Sequence, residues 1–191
     1  MNAAMSTRLR QMGSDPATVE NFKELDENDA KALSFAMLTS IPTFSMNVRN
    51  KQWILLESSS LNDIFYISDN PIGFHNYNNF APYGNLGFAV PGIEIYFPLS
   101  PTLIFAMFCH SILDEARTHQ ASQNEAAIEL LSKSVSGEPL KQHPDNMEFL
   151  NYIQVRFSYR HVYSSKNEFD LVERILNDHP DWKVGLMPEM A

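Results

Sequence analysis

Two short segments carry side chains suited to chemistry. Ser68-Asp69-Asn70-Pro71 closes the apolar run Ile64-Phe65-Tyr66-Ile67. A carboxylate and an amide at a strand end can shape the following turn by bonding nearby backbone. The same pair can serve a ligand, Asp69 as general base or acceptor and Asn70 as an orienting amide. The second segment, Phe97-Pro98-Leu99-Ser100-Pro101, offers the Ser100 hydroxyl either as a corner cap or as a contact or nucleophile at a site. Ser68, Ser100, His75, His110 and Asp69 are the residue types of a serine hydrolase, but no Gly-x-Ser-x-Gly elbow is present. Cys109 and His110 are neighbours in sequence, so on a continuing strand they point to opposite faces, and Cys109 reads as a core thiol. His75, Asp63, Asp69 and Glu94 can meet only through the fold, and the chain lacks His-x-x-x-His and Cys-x-x-Cys spacings. No metal and no cofactor is therefore expected.

A third group is cationic. Arg156, Arg160 and His161 lie among Tyr152, Tyr159 and Tyr163. On one helix, Tyr152, Arg156 and Arg160 would share a face, and two arginines there would want an anion between them, a carboxylate of the chain or a bound carboxylate or phosphate. Asn151 adds an amide on the same segment.

These residues need elements to hold them. The first 50 residues read as helical: Asp15 caps, Pro16 suits a first turn, and a segment from about Asp26 to Ser40 places Ala30, Leu33, Met37 and Leu38 on one stripe until Pro42 stops it. Residues 51–109 read as strands and turns. Trp53–Glu57 and Asp63–Ser68 form a hairpin through Ser58-Ser-Ser-Leu-Asn62, and Ile93, Ile95 and Phe97 alternate with Glu94 and Tyr96 as in a half-buried strand. Thr102–Phe108, apolar on both faces, suits a central strand, and Pro71–Gly92 reads as a loop rich in Asn and aromatics. The last zone is helical, with capping boxes at Ser122–Glu125 and Ser165–Glu168 and a helix opened by Asp145. Segregated zones imply a single α+β domain over 1–191, with a mostly antiparallel sheet over about 51–109 between N-terminal and C-terminal helices.

Composition bounds the function. The chain has 191 residues, 44% hydrophobic and 19% charged, and a net charge of −9, so nucleic acid and anionic membrane are not expected partners. One cysteine leaves no internal disulfide, and the run Leu103–Cys109 is far short of the roughly 20 residues that span a bilayer. With no signal-peptide core at the N-terminus, the expected location is cytoplasmic.

The order of features resembles the family catalogued as domain of unknown function 4238 (DUF4238). The features are Leu33-Ser-Phe-Ala-Met-Leu38, Ile41-Pro42, Trp53-Ile-Leu-Leu56, Phe65-Tyr-Ile-Ser-Asp-Asn-Pro71, Ile95-Tyr-Phe-Pro-Leu-Ser-Pro101, Asn151 and Arg160-His-Val-Tyr-Ser-Ser165. The resemblance covers about residues 30–165 and singles out Asp69, Ser100, Asn151 and Arg160. The family's usual opening, similar to His-Tyr-Val-Pro-Gln, has no counterpart here, so the chain is expected to match the family's C-terminal part. The resemblance implies no defined activity. Two functions follow from the residues. One is binding of a small polar or anionic ligand or substrate at the strand ends, with Asp69 and Ser100 as candidate catalytic groups of a hydrolase-type reaction and Asn70, Asn151, Arg156 and Arg160 as ligand contacts. The other is a protein-interaction module, for example in a bacterial or phage defence or regulatory system, using the aromatics of Phe74–Phe88.

Overall fold

The structure is a computed structural model, and it describes residues 31, 32, 35, 36, 38–78, 85–180 and 182. Asp15, Pro16, Asp26, Ala30, Leu33 and Met37 lie outside them. The chain divides into two compact units, Met1–Met46 and Asn47–Ala191. In the first, the described residues from 31 to 39 are helical, and Thr39 and Ser40 hydroxyls both donate to the Ala36 carbonyl. That stretch ends in a turn at Ser40, as expected, but Pro42 does not end helical structure: α1 (Ile41–Arg49) follows at once, with Pro42 in its first turn, where a missing N–H costs nothing.

The second unit holds a mixed sheet of five strands, ordered β3 (Gly73–Asn76), β4 (Ile93–Ser100), β5 (Leu103–Phe108), β1 (Gln52–Glu57) and β6 (Leu140–Lys141). All pairings are antiparallel except β1 with β6. The α+β class and the central place of β5 hold. The hairpin between Trp53–Glu57 and Asp63–Ser68 does not form, because β1 is flanked by β5 and β6 and only Ile67–Ser68 (β2) is strand in the second run. β2 pairs instead with β7 (Val162–Tyr163) in a separate two-stranded sheet. β3 occupies part of the expected loop, and β4 is covered on both faces, since Glu94 and Tyr96 are buried like Ile93 and Ile95.

Beyond the helical residues within 31–39, five helices are present among the described residues. After α1 come α2 (His110–Gln120), α3 (Glu125–Ser136), α4 (Pro144–Phe157) and α5 (Asp170–Asp178). Their caps differ from the expected ones. Asn124, not Ser122, accepts the Ala127 N–H of α3, which ends at Gly137 in the left-handed region at φ 73°. His143 caps α4 with Pro144 at the first position, and α5 starts after Phe169 with no side-chain cap. One sheet face (Ile54, Leu56, Tyr96, Ile104, Ala106, Phe108) packs with Ile112 of α2 and Met147, Leu150 and Ile153 of α4 into the main core. A smaller cluster joins Tyr66, Val155 and Ile175 with the apolar side of α5. Burial therefore surrounds α4 on several sides, and two of its buried side chains, Asn151 and Gln154, are amides.

Candidate functional site

A cleft of about 320 Å³ opens where the β4–β5 turn meets the small sheet. Pro98, Leu99, Ser100 and Pro101 form one wall; Tyr163, Ser164 and Ser165 form the other; Phe65 and Ile67 lie between them. The first wall follows from a register shift between Pro98 and Ser100, which sets the turn off the regular ladder. Ser100 then accepts the Thr102 N–H at 3.2 Å and shares a 3.4 Å contact with the Thr102 hydroxyl. The second wall continues β7, and Ser164 likewise accepts the N–H two residues on, from Lys166 at 3.2 Å.

Phe65 and Ile67 are held by side-chain amides. Asn151 donates to the Ile64 carbonyl at 2.9 Å and accepts the Tyr66 N–H at 2.8 Å. Gln154, 1% exposed, accepts the Ser68 N–H and hydroxyl and donates to the Pro71 carbonyl at 3.0 Å. The Phe65 N–H reaches the Pro101 carbonyl at 2.8 Å and ties the segment to the turn. Nearly every backbone group of 64–71 named here thus finds a partner outside a strand ladder, which is why most of this β-rich run is not strand.

Asp69 fixes the other wall. Its carboxylate accepts the successive N–H groups of Tyr159, Arg160 and His161 at 2.8, 2.9 and 3.2 Å, and its own N–H reaches the His161 carbonyl at 3.0 Å. Burial pushes the Asp69 carboxyl upward, but these three donors and the nearby His161 outweigh it and hold it below the usual carboxylate range. Asn70 donates to the Phe157 carbonyl at 3.1 Å, closing the end of α4.

Of the six candidate residues, Ser100 lines the cleft, while Asp69, Asn70 and Asn151 bond the backbone segments that form it. Arg156 and Arg160 do not share a helix face with Tyr152, because α4 ends at Phe157 and Ser158 turns extended. Arg160 is exposed beyond that end, and its backbone, not its guanidinium, meets Asp69. Arg156 lies with its guanidinium carbon 5.9 Å from the Phe157 ring centre, and its Nε is buried without a hydrogen-bond partner. Neither arginine lines the cleft, and no carboxylate or imidazole does among the described residues.

Other candidate groups lie elsewhere. Ser68 is buried against Gln154 and Asn70. His75 and Glu94 meet as a cross-strand pair at 2.5 Å, with the His75 ring edge-on to Phe149. Tyr96 also bonds Glu94, and burial foremost, then the Glu94 charge, pushes its hydroxyl well up. Asp63 instead accepts from Ser59 and Ser60, and no group of three His, Cys, Asp or Glu suited to a metal occurs among the described residues. Cys109 is half-buried at the start of α2, where the strand has already ended. Of the aromatics in the Phe74–Phe88 stretch, Phe74 and Phe88 pack edge to face at 5.2 Å, and Tyr77 is exposed but donates to Glu115. Phe80 and Tyr83 lie outside the described residues.

The residues missed from sequence are Gln154 and the cleft-lining Tyr163, Ser164 and Leu99. Gln154 left a signal: with Asn151 it forms an i, i+3 amide pair inside an otherwise apolar helical stretch, and buried amides must find partners.

No helix of the described residues is long and apolar enough to cross a membrane. No curated protein and no solved structure matches the chain. One family model does, that of DUF4238, "Protein of unknown function", over residues 3–168. The match starts near the first residue, well before the expected residue 30, and runs through every element that builds the cleft. The chain belongs to the DUF4238 family.

Proposed function

We propose that the protein binds a small molecule in the cleft between the β4–β5 turn and β7. The observation that carries this reading is the cleft itself: about 320 Å³, apolar at Phe65, Ile67 and Leu99, and edged by hydroxyls from both walls. Concave sites of about 300–1,000 Å³ with apolar walls and a few convergent polar groups are the ordinary form of a ligand site. Ser100 is the contact residue of this reading. Asp69, Asn70 and Asn151 are positioning residues that hold the walls. The reading is one of binding, because among the described residues that line the cleft none carries a carboxylate, imidazole or thiol that could take the Ser100 proton.

A panel of neutral, anionic and cationic fragments, followed by thermal shift and ligand-observed NMR on the full chain, tests it. Some members bind the wild type and lose binding in Leu99→Asp, whose side chain is half exposed and tolerates the change. Binding indifferent to Leu99→Asp, or no binding by any member, overturns it.

A further inference from the structure

We infer that the ligand of this cleft is an oxyanion, a carboxylate or phosphate, carried on an apolar body. The inference rests on the cleft reading above and names its ligand class. Its basis is the direction of the hydroxyls. Ser100 and Ser164 each spend acceptor capacity on a backbone N–H two residues on, from Thr102 and Lys166, both at 3.2 Å. Apart from the 3.4 Å contact between Ser100 and the Thr102 hydroxyl, this leaves both O–H groups to donate. The Ser165 and Tyr163 hydroxyls bond no other described residue and line the same wall. The cleft therefore offers O–H donors to a ligand that brings acceptors.

Charge selects an anion over a neutral carbonyl. In a chain with 23 acidic and 14 basic residues, no described residue lining the cleft is Asp or Glu. Lys166 follows Ser165 directly, and its Nζ spends one donor on the Asn62 carbonyl at 2.7 Å, leaving two. Asp63, next to Asn62, accepts from the Ser59 and Ser60 hydroxyls at 2.5 and 2.8 Å and also feels the Lys166 charge, so Lys166 is shared between this carboxylate and the cleft edge. Phe65, Ile67, Leu99 and Pro101 take the apolar body.

Isothermal titration of the full chain with phenylacetate, phenyl phosphate, 2-phenylethanol and 2-phenylethylammonium tests this, since the four share a body and differ in the head. Both anions bind at least tenfold more tightly than the alcohol, the ammonium gives no saturable heat, and the tighter anion identifies the head group. Lys166→Gln and Ser165→Ala each weaken the anions severalfold, and Lys166→Gln, at a residue outside the cleft lining, leaves the alcohol unchanged, while both variants keep the wild-type melting temperature within about 2 °C. If the alcohol or the ammonium binds as tightly as the anions, and Leu99→Asp abolishes that binding, the oxyanion inference falls and the cleft reading stands. If none of the four binds, both fall.

Discussion

The five-stranded sheet and the segment 64–71 both lie against α4, yet their backbones are satisfied by different means. In the sheet, ladder bonds between strands do it, and Met147, Leu150 and Ile153 of α4 add only apolar contact. Along 64–71, beside the two-residue pairing of β2 with β7, Asn151 and Gln154 of the same helix take the place of a further strand. A ladder is regular and survives the loss of one side chain. A seam of two amides depends on both. One wall of the cleft ends the β4–β5 ladder, but Phe65 and Ile67 between the walls rest on the seam, so that part of its shape has fewer independent supports.

This contrast gives graded expectations. Ile153→Ala, at a site 2% exposed and packed under the sheet, lowers unfolding stability by about 2–5 kcal/mol in urea titration, with every region melting together. Asn151→Ala removes an acceptor and a donor from two backbone groups and costs about 3 kcal/mol. Its signature is local: amide hydrogen exchange at Tyr66 and Ser68 accelerates while the protection of Ile95 and Ala106 stays unchanged. Uniform loss of protection in that variant would erase the distinction between seam and sheet.

Asp69→Ala frees three N–H groups at a partly exposed site and costs about 1–2 kcal/mol. Its pH dependence has a defined sign. The folded carboxyl titrates below its unfolded value of about 3.9, so its contribution is complete above that value and fades as pH falls through the lower folded one. The wild type therefore loses its advantage over Asp69→Asn only in acid, as thermal melts between pH 6 and pH 2 will show. The smallest effect is Ser100→Ala, within about 0.5 kcal/mol in stability because the residue is exposed. A larger loss would make Ser100 part of the frame and not a contact at the cleft.

The same contrast governs what could be read from the sequence. The sheet core was legible because its pattern is local: the doubly apolar run at Leu103–Phe108 is the central strand, and Trp53–Glu57 lies beside it. The segment 63–68 misled because Phe65, Tyr66 and Ile67 have strand-like side chains while their backbone partners are scattered: Pro101 for Phe65, Asn151 of α4 for Tyr66 and β7 for Ile67. Propensity reports the residue and not the partner. Asp69 stood out by type, but its bonds to 159–161 depend on the chain turning at Ser158, which no spacing rule places. The Arg156–Arg160 stack failed for the same reason. The turn that carries Ser100 is legible because Pro98 and Pro101 bracket it, and the opposite wall is not, since Tyr163–Ser165 becomes a wall only when β7 pairs with β2.

The account turns on the cleft, and residue-resolved amide shifts test it most directly. In a titration of the isotopically labelled full chain with phenyl phosphate, the perturbed amides are predicted to be confined to residues 65–67, 99–100 and 163–166. Shifts centred on His75 and Glu94, on the α4 end around Arg156, or spread evenly across the sheet would contradict it.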